Sequence, residues 1–241
     1  MLSSETTPHS WRRTCGFGYT QTMLKDIVAV YKEEGMTSHD VVNALRRLTG
    51  ERRIGHAGTL DPYAKGVLVV GIGRAATRQL RQVAGTEKEY IACIRLGRRS
   101  TTDDREGKIE EVSLSQVPSE DEVRRALQRF VGTIPQRPPI FSAVKVGGRA
   151  AYKFARAKRH IDLQVRQVEA REIELLEYSW PRVRVRLVTG PGFYVRSLAR
   201  DLGEALGAGG YLEELERTRV GTYTKEQAVR LSDLAKSTGD P

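Results

Sequence analysis

Cysteine is nearly absent from this chain. Two residues, Cys15 and Cys93, can build neither a disulfide framework nor a zinc-ligand pattern, and a reducing cytoplasm suits them. The four histidines, His9, His39, His56 and His160, are scattered, which argues against a metal centre. Long apolar runs are missing as well. The longest, Val67 to Ile72, is far too short to span a bilayer. No apolar run follows the polar N-terminus, so no secretory signal is read there. Residues 1–22 read as a disordered leader or an over-extended start, and residues 23–241 as one domain.

Negative charge is scarce in one stretch above all. From Arg52 to Thr86 the only acidic residue is Asp61, among Arg52, Arg53, Lys65, Arg74, Arg78 and Arg81. Such cations favour the ionised form of a carboxylate and would also attract a phosphate backbone. An anion retained in a surface suited to anions points to chemistry on the bound polyanion. The whole chain repeats the theme: 241 residues carry 40 Lys+Arg against 30 Asp+Glu, a net charge of +10. That balance favours nucleic acid as partner over an anionic membrane or a small acidic ligand. With 39% hydrophobic residues, there is enough apolar surface for a sizeable core.

Strand and helix patterns alternate irregularly. Ile27–Tyr31, Val67–Ile72 and Glu89–Leu96 read as strands, and Arg182–Leu187 alternates strictly, with one wet basic face. Ser38 is expected to cap a helix bearing Val41, Val42, Leu45 and Leu48 and closed by Gly50. Ala75–Val83 reads as a helix, Ser119 caps another with Val123, Ala126, Leu127 and Phe130 inward, and Val195, Leu198, Ala199, Leu202 and Leu206 form a further helical stripe. Gly97–Gly107 reads as an exposed loop, Phe141–Val146 as a short strand and Ala150–Arg159 as a helix. Without regular βαβ repetition, the expected class is α+β, a mixed, largely antiparallel sheet flanked by helices.

Several segments could carry chemistry. Asp61 lies in Gly55-His56-Ala57-Gly58-Thr59-Leu60-Asp61-Pro62, where the glycines allow close backbone approach to a substrate. A plain turn aspartate is the alternative. His56 is either a surface histidine or a flat wedge against a base. Tyr90 is either core or a ring that stacks on a base. Arg196 falls in the first turn of a helix, where the dipole disfavours a cation, so it is either simply exposed or paired with a phosphate or carboxylate. Lys145, Arg149 and Arg156 belong to a basic face suited to an RNA backbone, or to a solvated charge run. Gly71-Ile72-Gly73-Arg74-Ala75-Ala76 has the form of a dinucleotide fingerprint but lacks the acid at the end of the next strand, so a strand-to-helix turn is favoured.

Taken in order, these blocks resemble the TruB-type tRNA pseudouridine synthases, from Met23 to about Leu234. Tyr31–Asp40 resembles the opening K-P-x-G-x-T-S, and Gly55–Gly66 with Gly73–Thr77 resembles the catalytic block. Lys88-Glu89-Tyr90, the Leu96–Gly107 block, Pro138–Arg156, Gly192–Gly203 and Leu215-Glu216-Arg217-Thr218 follow in family order. Glu33 stands where proline is usual, Phe193 where threonine is usual, and Thr189-Gly190-Pro191 replaces the usual lead-in. The resemblance implies a pseudouridine synthase fold, no cofactor and no metal, and isomerisation of uridine 55 in the TΨC loop of tRNA after base flipping. It implies Asp61 as nucleophile, Arg196 as its partner, and Tyr90 stacked on the flipped uracil and able to move its proton. His56 would fill the vacated space, and Lys32 and Leu215 would shape the pocket. A C-terminal PUA module is not recognised, which leads us to expect weaker, more salt-sensitive tRNA binding. A cytoplasmic monomer is expected, with no membrane association and no obligate protein partner. The alternative function is a tRNA-folding chaperone on the same scaffold.

Overall fold

The structure is a computed structural model, and it describes residues 26–157 and 161–237. The expected leader over residues 1–22 lies outside them. In chain order the elements are β1 (Ile27–Lys32), α1 (Ser38–Thr49), β2 (Ile54–His56), β3 (Lys65–Ile72), α2 (Arg74–Ala84), β4 (Lys88–Leu96), β5 (Arg98–Ser100), β6 (Ile109–Glu111), α3 (Glu120–Gln128) and β7 (Gly132–Gln136). After these come β8 (Lys145–Val146), β9 (Arg149–Ala150), α4 (Ala151–Arg156), β10 (Arg166–Ser179), β11 (Arg182–Thr189), α5 (Val195–Ala205), β12 (Gly210–Val220), β13 (Tyr223–Thr224), β14 (Val229–Arg230) and α6 (Leu231–Ser237).

Ten strands share one sheet in the order β14-β1-β3-β12-β4-β11-β10-β7, with β2 added to β3 and β13 to β12. Among the described strands of this sheet, only β1–β14 and β3–β12 pair in parallel. The expected mixed, largely antiparallel α+β architecture is therefore present. Its spine is β4, whose side chains alternate strictly between buried and half-buried. Tyr90, Ala92, Ile94 and Leu96 meet Leu198, Ala199 and Leu202 of α5 and Val123 and Leu127 of α3 in the main core. A second cluster lies under α1 and a third, containing Leu80, under α2.

Local details depart from the sequence reading in instructive places. The cap of α1 is Thr37, not Ser38. Thr37 accepts from the Asp40 N–H at 3.1 Å, and Asp40 accepts from the Thr37 N–H at 2.8 Å. Only Thr37 has a carboxylate three residues on, the spacing a capping box requires. Ser38 is buried instead; its hydroxyl donates to the Leu60 carbonyl at 3.0 Å and accepts from the Leu60 N–H at 2.9 Å. Gly97–Gly107 is not a free loop but β5 and the turn that leads to β6, pinned to β12 by hydrogen bonds from Arg105 N to Leu212 O and from Leu212 N to Asp103 O. Phe141–Ser142 does not extend the strand, which is limited to Lys145–Val146, because the Phe141 and Ser142 carbonyls accept from Arg196 and from Tyr152 N. The helix expected over Ala150–Arg159 is α4, and residues 158–160 lie outside the described residues. The wet basic face expected on β11 is present, with Arg182 and Arg184 exposed and Arg186 half-buried, and Arg182 and Arg186 are also paired with Glu213, Glu89 and Glu172.

Candidate active site

Asp61 is held from both sides by the fold. Upstream, the paired hydrogen bonds of Ser38 fix Leu60. Downstream, Lys32 is fully buried and its ammonium donates to the carbonyls of Glu33, Met36 and Pro62 at 3.0, 2.6 and 3.2 Å. Burial lowers the Lys32 pKa to about 8, and Asp61 opposes that fall. Gly66 has φ of +113°, and a Cβ there would meet the Arg217 backbone at 2.2 Å, so only glycine lets β3 begin against β12.

Arg196 organises the charged centre. Its Nε lies 3.1 Å from Asp61 Oδ2, its Nη1 lies 3.2 Å from Asp104 Oδ2, and its Nη2 donates to the Phe141 carbonyl at 2.8 Å. The Arg196 side chain is 7% exposed and that of Asp104 4%, whereas Asp61 remains 32% exposed. The nucleophile candidate is thus half-open rather than buried, as an attacking oxygen needs to be. Of the two environments open to Arg196 on sequence grounds, the structure provides the carboxylate pair. The first turn of α5 is aimed by Gln136, which brackets the Tyr194 backbone at 2.8 and 3.1 Å, and by Ser197, which donates to the Arg137 carbonyl at 2.8 Å.

Burial pushes the Asp61 carboxyl up, Arg196 pulls it back and Asp104 raises it again. The net direction is upward, against the expectation that surrounding cations would dominate. The reason is geometric. Arg52, Arg53, Arg74, Arg78 and Arg81, close in sequence, are all exposed. The cations that reach Asp61 are Arg196, Lys32 and Arg217, all distant in sequence.

The remaining residues line up around this centre. Tyr90 is 7% exposed, a wall of the core rather than a rim residue, and packs in one cluster with Leu60, Tyr63 and Leu215. Arg217 lies opposite Tyr90 across β12–β4. Its guanidinium donates to the carbonyls of Val67 at 2.8 Å and Gly58 at 3.0 Å, stapling both stems of the Asp61 loop. His56 pairs with Val70 in the sheet, its Nδ1 has no partner among the described residues, and burial followed by Arg217 lowers its pKa. At neutral pH it is therefore an uncharged plate. Lys145 and Arg149 are exposed on the β8–β9 hairpin, which follows the Phe141 contact to Arg196. Arg156 ends α4, and its side chain lies outside the described residues.

Asp104, Arg217 and Tyr63 were not singled out from the sequence as site residues. Asp104 and Arg217 sat inside recognised blocks, but nothing local announces that an acid in a polar loop will be buried. Tyr63 is buried, its hydroxyl has no partner among the described residues, and burial followed by Asp61 pushes its pKa well up. A cavity of about 680 Å³ lies elsewhere, lined by Asp103, Arg137, Ile140, Arg200 and Asp201 and not by Asp61. The G-x-G segment serves packing: a Cβ on Gly71 would press on the Ala76 backbone at 3.0 Å, and Gly73 has φ of +87°. Among the described residues no helix is long and apolar enough to cross a membrane, and no group of His, Cys, Asp or Glu is placed to hold a metal ion.

The family model described as TruB family pseudouridylate synthase, N-terminal domain, matches residues 46–195, and that of the tRNA pseudouridylate synthase B C-terminal domain matches residues 196–239. The chain is 48% identical over 221 residues to the tRNA pseudouridine synthase B of Thermobifida fusca, covering 88% of this chain and 75% of that protein. It is 45% identical over 218 residues to the protein of the same name from Mycobacterium tuberculosis, covering 87% and 72%. Among solved structures, a chain of a Cbf5–Nop10–Gar1 complex superposes with a TM-score of 0.70 at 31% identity. That match covers 92% of this chain but only 58% of the other.

Proposed function

Since the chain belongs to the TruB family of pseudouridylate synthases, we propose that it converts uridine 55 of the tRNA TΨC loop to pseudouridine with Asp61 as nucleophile. The observation that carries this reading is the half-open Asp61 carboxylate gripped by a buried Arg196. The names of its relatives supply tRNA as the substrate class. The position in the loop is the finer inference.

A uridine in a folded loop hides its glycosidic bond, so the base must be everted at a cost of a few kcal/mol in stacking. Neutral His56 fills the gap, and the Tyr90 ring stacks on the uracil. Arg196 keeps Asp61 ionised and turns its oxygen outward, the activation a carboxylate nucleophile requires. Asp104 in turn fixes Arg196, so the guanidinium is oriented before substrate arrives. Asp61 attacks at the ribose or the base, the C–N bond breaks, and the freed ring rotates. C5 then joins the sugar and loses a proton, while N1 gains one, so the isomerisation is balanced without a cofactor. Tyr90, opposite Arg217 across β12–β4, moves that proton. Lys32 and Leu215 hold the floor and wall, and Lys145, Arg149 and Arg156 take backbone phosphates. The enzyme works as a monomer in the cytoplasm, without an obligate protein partner.

The test is incubation with an unmodified tRNA transcript followed by mapping of pseudouridine. Product at position 55 alone is expected. Product at another position would overturn the site assignment. No product together with restored folding of a misfolded transcript would favour the chaperone reading.

A further inference from the structure

The chemistry at Asp61 leaves one strongly charged surface unused. Arg52 and Arg53 lead into β2, and three residues beyond Arg53 the same segment presents His56. The Gly73 N–H donates to the Arg53 carbonyl at 2.8 Å, which seats the start of α2 against that lead-in. Helix α2 turns Ala76 and Leu80 inward, Leu80 lying against Gly55. Outward it presents Arg74, Arg78 and Arg81, at i, i+4 and i+7, and therefore on one face with neighbouring Cβ atoms roughly 5–6 Å apart.

All five arginines are exposed, and their guanidinium groups make no hydrogen bond or ion pair with another described residue. The carboxylate of Glu51 lies beside Gly73, yet it is turned to backbone, accepting from the Arg53 N–H at 2.6 Å. Arg186 of β11, by contrast, is paired with three glutamates. Five like charges in one corner repel one another unless an anion arrives. Arg74 also stands in the first turn of α2, where the helix dipole disfavours a cation and favours an anion. Arginine presents a planar fork suited to two phosphate oxygens, which lysine cannot match.

We propose that this corner is a second RNA-backbone site, binding phosphates of the substrate RNA outside the target loop on the flank bordered by His56. The inference rests on the reading of the chain as an RNA-modifying enzyme. The occupant is RNA because the corner continues directly, through β2, into the segment that meets the target nucleotide.

The experiment compares the wild type with R52Q/R53Q/R74Q/R78Q/R81Q, and with R74Q/R78Q as a milder variant should the first lose its fold. Filter binding is measured between low and moderate KCl, against an unmodified full-length tRNA transcript and against a hairpin holding only the target stem and loop. Removing the corner should weaken binding to the transcript by about tenfold or more. It should also make the salt slope shallower by about 0.7–0.9 for each phosphate left unneutralised. Binding to the hairpin should change by less than about threefold. Unchanged transcript affinity and slope would overturn the proposal, as would an equal loss on both RNAs. Lost binding to anionic vesicles with RNA binding intact would reassign the surface to a membrane and likewise overturn it. Pseudouridine mapping with the wild type in the same samples keeps the readings apart. Absence of product refutes the activity, whereas the corner is judged on the binding curves alone.

Discussion

Two arginines in this molecule hold carboxylates at nearly equal distances and do very different work. Arg186 on β11 lies 2.7–2.8 Å from Glu172 and Glu89 and is 30% exposed. Arg196 on α5 lies 3.1–3.2 Å from Asp61 and Asp104 and is 7% exposed. Water reaches the side chain of the first and is largely shut out from that of the second. An exposed pair contributes about 0–1 kcal/mol. A buried pair broken on one side leaves an uncompensated charge and costs about 3–5 kcal/mol. The shorter contact is thus the weaker constraint. Burial of the guanidinium decides which arginine is locked in place and which stays adjustable on the face of a sheet.

The sharpest way to break that contrast is to remove each guanidinium in turn. Arg196→Met should abolish activity and lower stability by about 3 kcal/mol, because buried Asp104 then loses its ion-pair partner and repels Asp61. Arg186→Met should cost no more than about 1 kcal/mol and leave turnover intact. Chemical denaturation with single-turnover assays reads both, and equal costs would end the distinction. Next in size is Arg196→Lys, expected to lose about a hundredfold in single-turnover rate with RNA affinity retained. One ammonium cannot span two carboxylates and a carbonyl at once.

The pH profile sharpens the comparison further. The Asp61 carboxyl is raised by burial, so its ionised, active form is lost as pH falls through a value above the usual carboxylate range. The acid limb of kcat/KM should lie correspondingly high. Asp104→Asn removes a repelling charge and should shift that limb to lower pH, while slackened Arg196 lowers the plateau by about tenfold. A limb that moved upward would show that Asp104 acts on Asp61 only through Arg196. The smallest effect is expected at Tyr63→Phe. Removing a buried hydroxyl without a partner should stabilise the fold by about 1 kcal/mol in thermal unfolding, with little change in rate.

What the sequence made legible was local. The alternation of β4, the stripe of α5 and the Ser119 cap of α3 are periodic or short-range signals, and each element lies where that signal placed it. What it hid was tertiary. The arginines crowding Asp61 in sequence are exposed, whereas the cations that act on it, Lys32, Arg196 and Arg217, converge from three distant segments. Asp104 reads as a loop acid because its burial depends on the β5–β6 hairpin docking on β12. Ser38 and Thr37 look equally able to cap α1, and only the position of Asp40 separates them. Of the departures from the family pattern, Glu33 pairs with Arg230 at the surface and Phe193 is buried in the main core, so neither enters the charged centre.

In the proposed mechanism one ionised oxygen of Asp61 performs the attack while the rest of the protein aims it. Asp61→Asn keeps the shape and removes the charge. Measured on unmodified tRNA transcript under single-turnover conditions, this variant should bind the RNA as the wild type does and form pseudouridine at least about a thousandfold more slowly, a barrier higher by about 4 kcal/mol. Turnover at the wild-type rate by a verified Asp61→Asn protein would contradict the account outright.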